Sequence, residues 1–146
     1  MPARRDFDPA AVPALLPHLQ LIDIVDGRFR YRLVGTALVD AFGRDYTGQY
    51  PDELFEGPRA QMISDVFERV RQARRPMFLR SRYVTARNID LIADRLYLPL
   101  SGDGRDVDMI LGALAFASPA PEPVAGAWGS ARLTSAGAQL EVVDFE

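Results

Sequence analysis

Between residues 76 and 118, three runs of aliphatic and aromatic residues follow one another with only short polar interruptions. The runs cover residues 77–85, 91–100 and 107–116, and each is bounded by Pro, Gly, Asn or Ser, as strands tend to be. Between the last two, Ser101-Gly102-Asp103-Gly104 reads as a hairpin connection, since glycine takes positive φ without a steric penalty. Three strands joined this closely can only pair antiparallel, because a parallel crossover needs a dozen or more residues. The chain is thus committed to an antiparallel meander over more than a quarter of its length.

Upstream, residues 19–25 and 28–34 form a second hairpin turning at Asp26-Gly27. Its second strand alternates: Phe29, Tyr31 and Leu33 point one way, Arg28, Arg30 and Arg32 the other. The arginines read as a solvated face with cross-strand partners such as Asp23, or as an anion or partner surface. Before this hairpin, Asp8-Pro9 opens a short helix over residues 10–16, with Asp8 as its cap. After it, Thr36 is the expected cap of a helix ending at Gly43, and a turn of helix surrounds Glu53-Leu54-Phe55. Gly57-Pro58 starts the main helix, which runs to about Arg75. Met62, Val66 and Val70 recur on its core side, joined by Ile63 and Phe67.

Two strands, three helices, then three strands make an α+β arrangement, a five-stranded sheet with a helical layer on one face. At 146 residues it is one domain, able to bury about 70% of the surface its unfolded chain exposes. We divide it at residue 117. Residues 1–117 form the domain with an N-terminal helical cap, and residues 118–146 a Pro/Ala/Gly linker and C-terminal tail. Within that tail, Leu140-Glu141-Val142-Val143-Asp144-Phe145 reads as an extra strand or a partner-binding segment.

The chemistry suggested by residue types is sparse. There is no cysteine, which excludes disulfides, thiolate metal sites and cysteine nucleophiles. The only histidine, His18, has no acid beside it in sequence and reads as a surface or capping residue. Nothing singles out Ser64, Ser81 or Ser101 as a nucleophile. Asp103, Asp106 and Asp108 read as a solvated hairpin edge rather than a metal site. No catalytic set and no metal site are therefore expected. A net charge of −3 speaks against a nucleic-acid partner. With no signal peptide and no apolar run long enough to span a bilayer, a cytoplasmic protein without a membrane partner is expected.

The order of elements resembles the PAS domain. Phe29-Arg30-Tyr31-Arg32-Leu33-Val34-Gly35-Thr36 looks like the second strand of that fold entering its first helix. Phe42-Gly43-Arg44-Asp45-Tyr46-Thr47-Gly48 looks like its interhelical passage. Residues 96–100 with 110–116 look like its last two strands. Asp6-Phe7-Asp8-Pro9 through Leu15-Leu16-Pro17, with the meander, is similar to small stand-alone bacterial PAS proteins of unassigned activity. The resemblance implies sheet order 2-1-5-4-3 and helices enclosing a small-molecule cavity on the inner face. It also implies a non-enzymatic sensory or regulatory role, with a homodimer and an unidentified signalling protein as partners. The dimer would use the outer sheet face or the segment 8–16, with residues 128–145 as a further contributor. The cofactor is unknown; the missing cysteine and the absence of His on the main helix argue against cysteinyl-flavin and His-ligated haem there.

The candidate cavity lining is Tyr31, Leu33, Phe42, Phe55, Met62, Val66, Phe67, Leu98, Leu114 and Phe116, against the simpler reading that these residues fill the core. Arg80 and Arg82 are candidate anion anchors if their face turns inward; otherwise they pair outside with Asp90, Asp94 or Asp108. Arg95 shares a face with Tyr97 and would be a further anion anchor if that face turned inward, but alternation favours the outer face, since Leu96, Leu98 and Leu100 make the more apolar side. Two other functions compete: a ligand-free dimerisation adaptor, and a small isomerase- or dehydratase-like enzyme, which would need an Asp–Tyr pair in one apolar pocket and long helices first.

Overall fold

The computed structural model describes residues 1–84, 90–117, 130–135 and 138–144, and side chains within 1–81 and 91–117. Its strands are β1 (Leu19–Val25), β2 (Arg28–Val34), β3 (Met77–Val84), β4 (Asp90–Leu100), β5 (Met109–Ala117), β6 (Ser130–Ser135) and β7 (Ala138–Asp144). All pairings are antiparallel, and the order is β2-β1-β5-β4-β3-β7-β6. The first five strands thus adopt the expected order 2-1-5-4-3. Two more strands extend the sheet past β3, so the apolar alternation at residues 140–144 belongs to a strand paired with β3. Residues 118–129, Phe145 and the side chains of Arg82, Asp90 and Trp128 lie outside the described residues.

Three helices follow β2: α1 (Thr36–Phe42), α2 (Pro51–Leu54) and α3 (Gly57–Ala73). The cap of α1 is Gly35 rather than Thr36, and no side chain bonds its free amides. Thr36 is already the first helical residue. The left-handed stop at Gly43 is as expected, at φ 89°. α3 buries Val66, Phe67 and Val70, with Met62 and Ile63 half-buried beside them. It lies against β2, β4 and β5, and also approaches β6 at the opposite edge, so the twisted sheet curls round this helix.

Both faces of the sheet are covered, which the amphipathic pattern did not foretell. On the inner face Ile22, Phe29, Tyr31, Met77, Leu79, Tyr97 and Ile110 pack beneath α3. On the outer face Leu19, Leu21, Leu100, Met109 and Leu111 form a second cluster with Phe7 and Leu98. The cover there is the N-terminal segment. It is built of three 3-10 turns (Arg4–Asp6, Pro9–Ala11, Pro13–His18) rather than one helix over residues 10–16. Pro13 and Pro17 lack the N–H groups that an α-helix would use, so the chain settles for tighter single turns. Asp8 caps as expected, its carboxylate accepting from the Ala10 amide at 2.9 Å.

β2 carries one extra residue, Arg32, between the pairs Leu21–Leu33 and Ile22–Tyr31. The bulge reverses the alternation. Tyr31 stays inside at 5% exposure, while Leu33 moves to the other face at 48%. Asp23 on β1 receives Arg30 at 3.1 Å and Arg32 at 3.4 Å, so these arginines have the cross-strand partner the sequence suggested. Arg28 instead reaches Asp52 of α2 at 3.0 Å.

Candidate functional site

Polar groups converge on the inner face where an apolar core would be simplest. Gln20, in phase with Ile22 on β1, is 3% exposed. Its side chain crosses the sheet above Gly112 of β5, where an added Cβ would lie 2.9 Å from Gln20 Cγ and 3.0 Å from Tyr97 Cε1. Gly112 therefore makes room for both side chains. The Tyr46 hydroxyl donates to Gln20 Oε1 at 3.1 Å. Tyr46 comes from the stretch between α1 and α2 and meets Tyr31 edge-on at 4.8 Å between centroids. Phe67 of α3 stands at the centre, edge-on to Tyr31 at 6.0 Å and to Tyr97 at 5.3 Å, and tilted against Phe29 at 5.5 Å.

Arg95 completes the group. The register of β4 puts Ala93, Arg95 and Tyr97 on one face, and Ala93 and Tyr97 are buried at 0% and 4%. Arg95 is half-buried beside Leu79 of β3 and Leu114 of β5 and donates through Nη1 to Ser81 Oγ. This overturns the outward placement of Arg95. Leu96, Leu98 and Leu100 are indeed the more apolar side, but that side packs under the N-terminal cover.

Burial drives all three phenols above their ordinary range. For Tyr31, desolvation is reinforced by Tyr97 and Tyr46 and opposed by Arg95. For Tyr46, desolvation is reinforced by Tyr97 and opposed by Arg95. For Tyr97, desolvation is opposed by Arg95 and by the Gln20 amide. A phenol is neutral when protonated, so a raised folded value stabilises the fold fully below an unfolded value of about 10, and that stability is lost as pH rises through the folded value. Spectrophotometric titration near 295 nm should therefore show these three tyrosines protonated past pH ~10, ionising together with loss of the circular dichroism. Simultaneous ionisation of all the tyrosines near pH 10 in a folded protein would contradict the burial.

The residues expected to line a cavity divide. Tyr31, Val66, Phe67 and Leu114 are buried on the inner side, and Met62 packs against them half-buried. Phe116 shares the Leu114 face and is half-buried. Phe42, 38% exposed, stacks edge-on with Tyr46 and Phe55 at the rim, at 5.0 and 5.7 Å. Leu98 and Leu33 lie on the outer face. Arg80 is also outside, held by Asp94 through two bonds of 2.6 and 2.8 Å, the pairing weighed against the anchor role. Gln20, Tyr46, Ser81 and Tyr97 were not among the expected site residues, and Arg95, weighed as an inward anchor beside Tyr97, had been placed outside. The readable signal was Gln20 in phase with Ile22 in an otherwise apolar run.

Away from this cluster, a cleft of about 580 Å³ lies between the β1–β2 turn, α2 and the start of α3. Arg28 there stacks on Tyr50 at 3.9 Å and is neutralised by Asp52. Among the described residues no cluster of three or more His, Cys, Asp or Glu could hold a metal, and no helix is long and apolar enough to cross a membrane.

Residues 1–115 match the family model described as PAS domain. The chain belongs to the PAS domain family. Among solved structures, this PAS domain is similar to the Rhodobacter sphaeroides LOV protein, with a TM-score of 0.52 and 17% identity over 75% of this chain and 68% of that one. A point variant titled RsLOV gives a TM-score of 0.54 and 17% identity, over 77% and 69%. At that identity the likeness concerns the fold. No curated protein matches the chain.

Proposed function

We propose that this PAS domain is a non-enzymatic sensory or regulatory module that takes a small molecule against its inner sheet face, below α3, and signals through a protein partner. The carrying observation is the convergence of Gln20, Tyr31, Tyr46, Tyr97 and Arg95 inside an otherwise apolar layer. Burying polar and charged groups is costly unless each is satisfied, and a few convergent polar groups in an apolar layer are the usual make-up of a ligand site, which supports this reading. The catalytic alternative would need a carboxylate paired with one of these tyrosines, and among the described residues no carboxylate hydrogen-bonds to them. A homodimer fits the surface. Leu15, Leu16 and Leu33 are 50%, 38% and 48% exposed around the contact between the Pro13–His18 turn and Gly35.

The competing reading, a ligand-free adaptor, draws on Phe67, whose ring fills space that a ligand would need. Native mass spectrometry of protein purified without added ligand separates the two. A bound mass of a few hundred daltons that is released on unfolding supports the sensor. A bare chain mass that stays bare after exposure to a cell metabolite extract favours the adaptor.

A further inference from the structure

We infer that Arg95 is the charge anchor of the inner-face site and that the ligand it holds is a small monocarboxylate on an apolar frame; this rests on the reading that the inner face binds a ligand at all. The first ground is how the arginines are partnered. Arg28, Arg30, Arg32, Arg71, Arg74 and Arg80 each have a carboxylate within 4 Å, the range of the ion pairs. Arg95 has none among the described residues, nor has half-buried Arg69 of α3; Arg95 differs in standing on the sheet face among buried tyrosines, with its hydrogen bond going to the neutral Ser81 hydroxyl. A guanidinium presents five N–H donors, so most of its capacity is unused. A partly desolvated cation without a counter-ion is a costly arrangement, relieved when a ligand brings the missing anion.

The second ground is Tyr31. The residue is only 5% exposed and lies close enough to Arg95 for the guanidinium to act on its phenol. It therefore offers one more donor close to a charge that it feels directly. A carboxylate has two oxygens, able to take the guanidinium fork and a phenolic O–H together. The charge count favours a monoanion. Arg95 is the one charged residue at the described inner-face positions of β1–β5, and burial keeps the surrounding phenols protonated. The walls beside Arg95 are Leu79 and Leu114, which suit a hydrocarbon or aromatic body.

Calorimetric titration with octanoate and benzoate, each against its amide, tests this on the intact chain. Wild-type protein should bind the carboxylates about tenfold or more tightly than the amides, the size expected for a charge-assisted hydrogen bond. Amide-proton shifts at Leu79 and Leu114 should report the binding. In Arg95→Met the preference should vanish, with carboxylate and amide binding alike. Arg95→Lys, which keeps the charge but not the fork, should retain part of it. Should Arg95→Met not fold, the wild-type preference with its shifts still decides. Equal binding of acid and amide by the wild type, or a preference that survives Arg95→Met, overturns the anchor while leaving an inner-face site in place. No binding of either class overturns both the inference and the site it rests on.

Discussion

Phe67→Ala is expected to lower the unfolding free energy by about 3–5 kcal/mol, the range for deleting a fully buried aromatic ring. Phe67 is 1% exposed and contacts Phe29, Tyr31 and Tyr97, which come from β2 and β4. It is thus the residue through which α3 is fastened to strands on both sides of β1 and β5. Edge-on aromatic contacts add to simple burial, so the loss should sit at the upper part of that range. Against a total of about 5–15 kcal/mol for a domain of this kind, the variant would keep little margin. Urea unfolding followed by circular dichroism measures the difference. A loss below about 1 kcal/mol would mean that α3 is not seated as described. The same cavity should ease access to the inner face, so a variant that still folds should exchange a bound small molecule faster.

Gly35→Ala should also destabilise the fold, for a different reason. Gly35 has an ordinary extended backbone at φ −67°, which alanine adopts freely. What forbids a side chain is proximity: a Cβ there would sit 2.3 Å from the Pro17 carbonyl oxygen and 2.6 Å from that of Leu16. Both are backbone atoms and neither can rotate away. The Gly35 amide also donates to the Leu19 carbonyl at 2.7 Å, so the residue is pinned from both sides. One methyl group must then push the Pro13–His18 turn off the start of α1, at a cost of about 1–3 kcal/mol or more. The observable is specific. The N-terminal cover should loosen first, exposing Phe7 and the outer cluster to early proteolysis and faster amide exchange, while the inner-face amides remain protected. A melting temperature and a protection pattern identical to wild type would show that the cover is not clamped at Gly35.

How much of this was readable in advance can be traced to particular residues. The strand runs, the Asp26-Gly27 turn, the Gly43 stop and the span of α3 follow from local chemistry: side-chain period, free φ at glycine and the missing amide of proline. They needed no neighbour to decide them. The five-strand order came from the resemblance and holds. The site was only half legible. Tyr31, Phe67 and Leu114 carry their inwardness in the pattern, whereas Leu33 was turned out by an extra residue in β2 and Leu98 by a cover on the far face. Neither a bulge nor a second layer leaves a mark in the alternation of one strand.

From the amino-acid order alone came the antiparallel meander, the helical interlude and the absence of cysteine chemistry, since each depends on residues near in sequence. Which face of β4 turns inward came only from tertiary packing. Both of its faces are shielded, one by α3 and one by the N-terminal turns, so apolarity could not tell them apart. That choice placed Arg95 among the tyrosines and Leu98 outside, because a strand's side is set by what packs on it and not by its own composition.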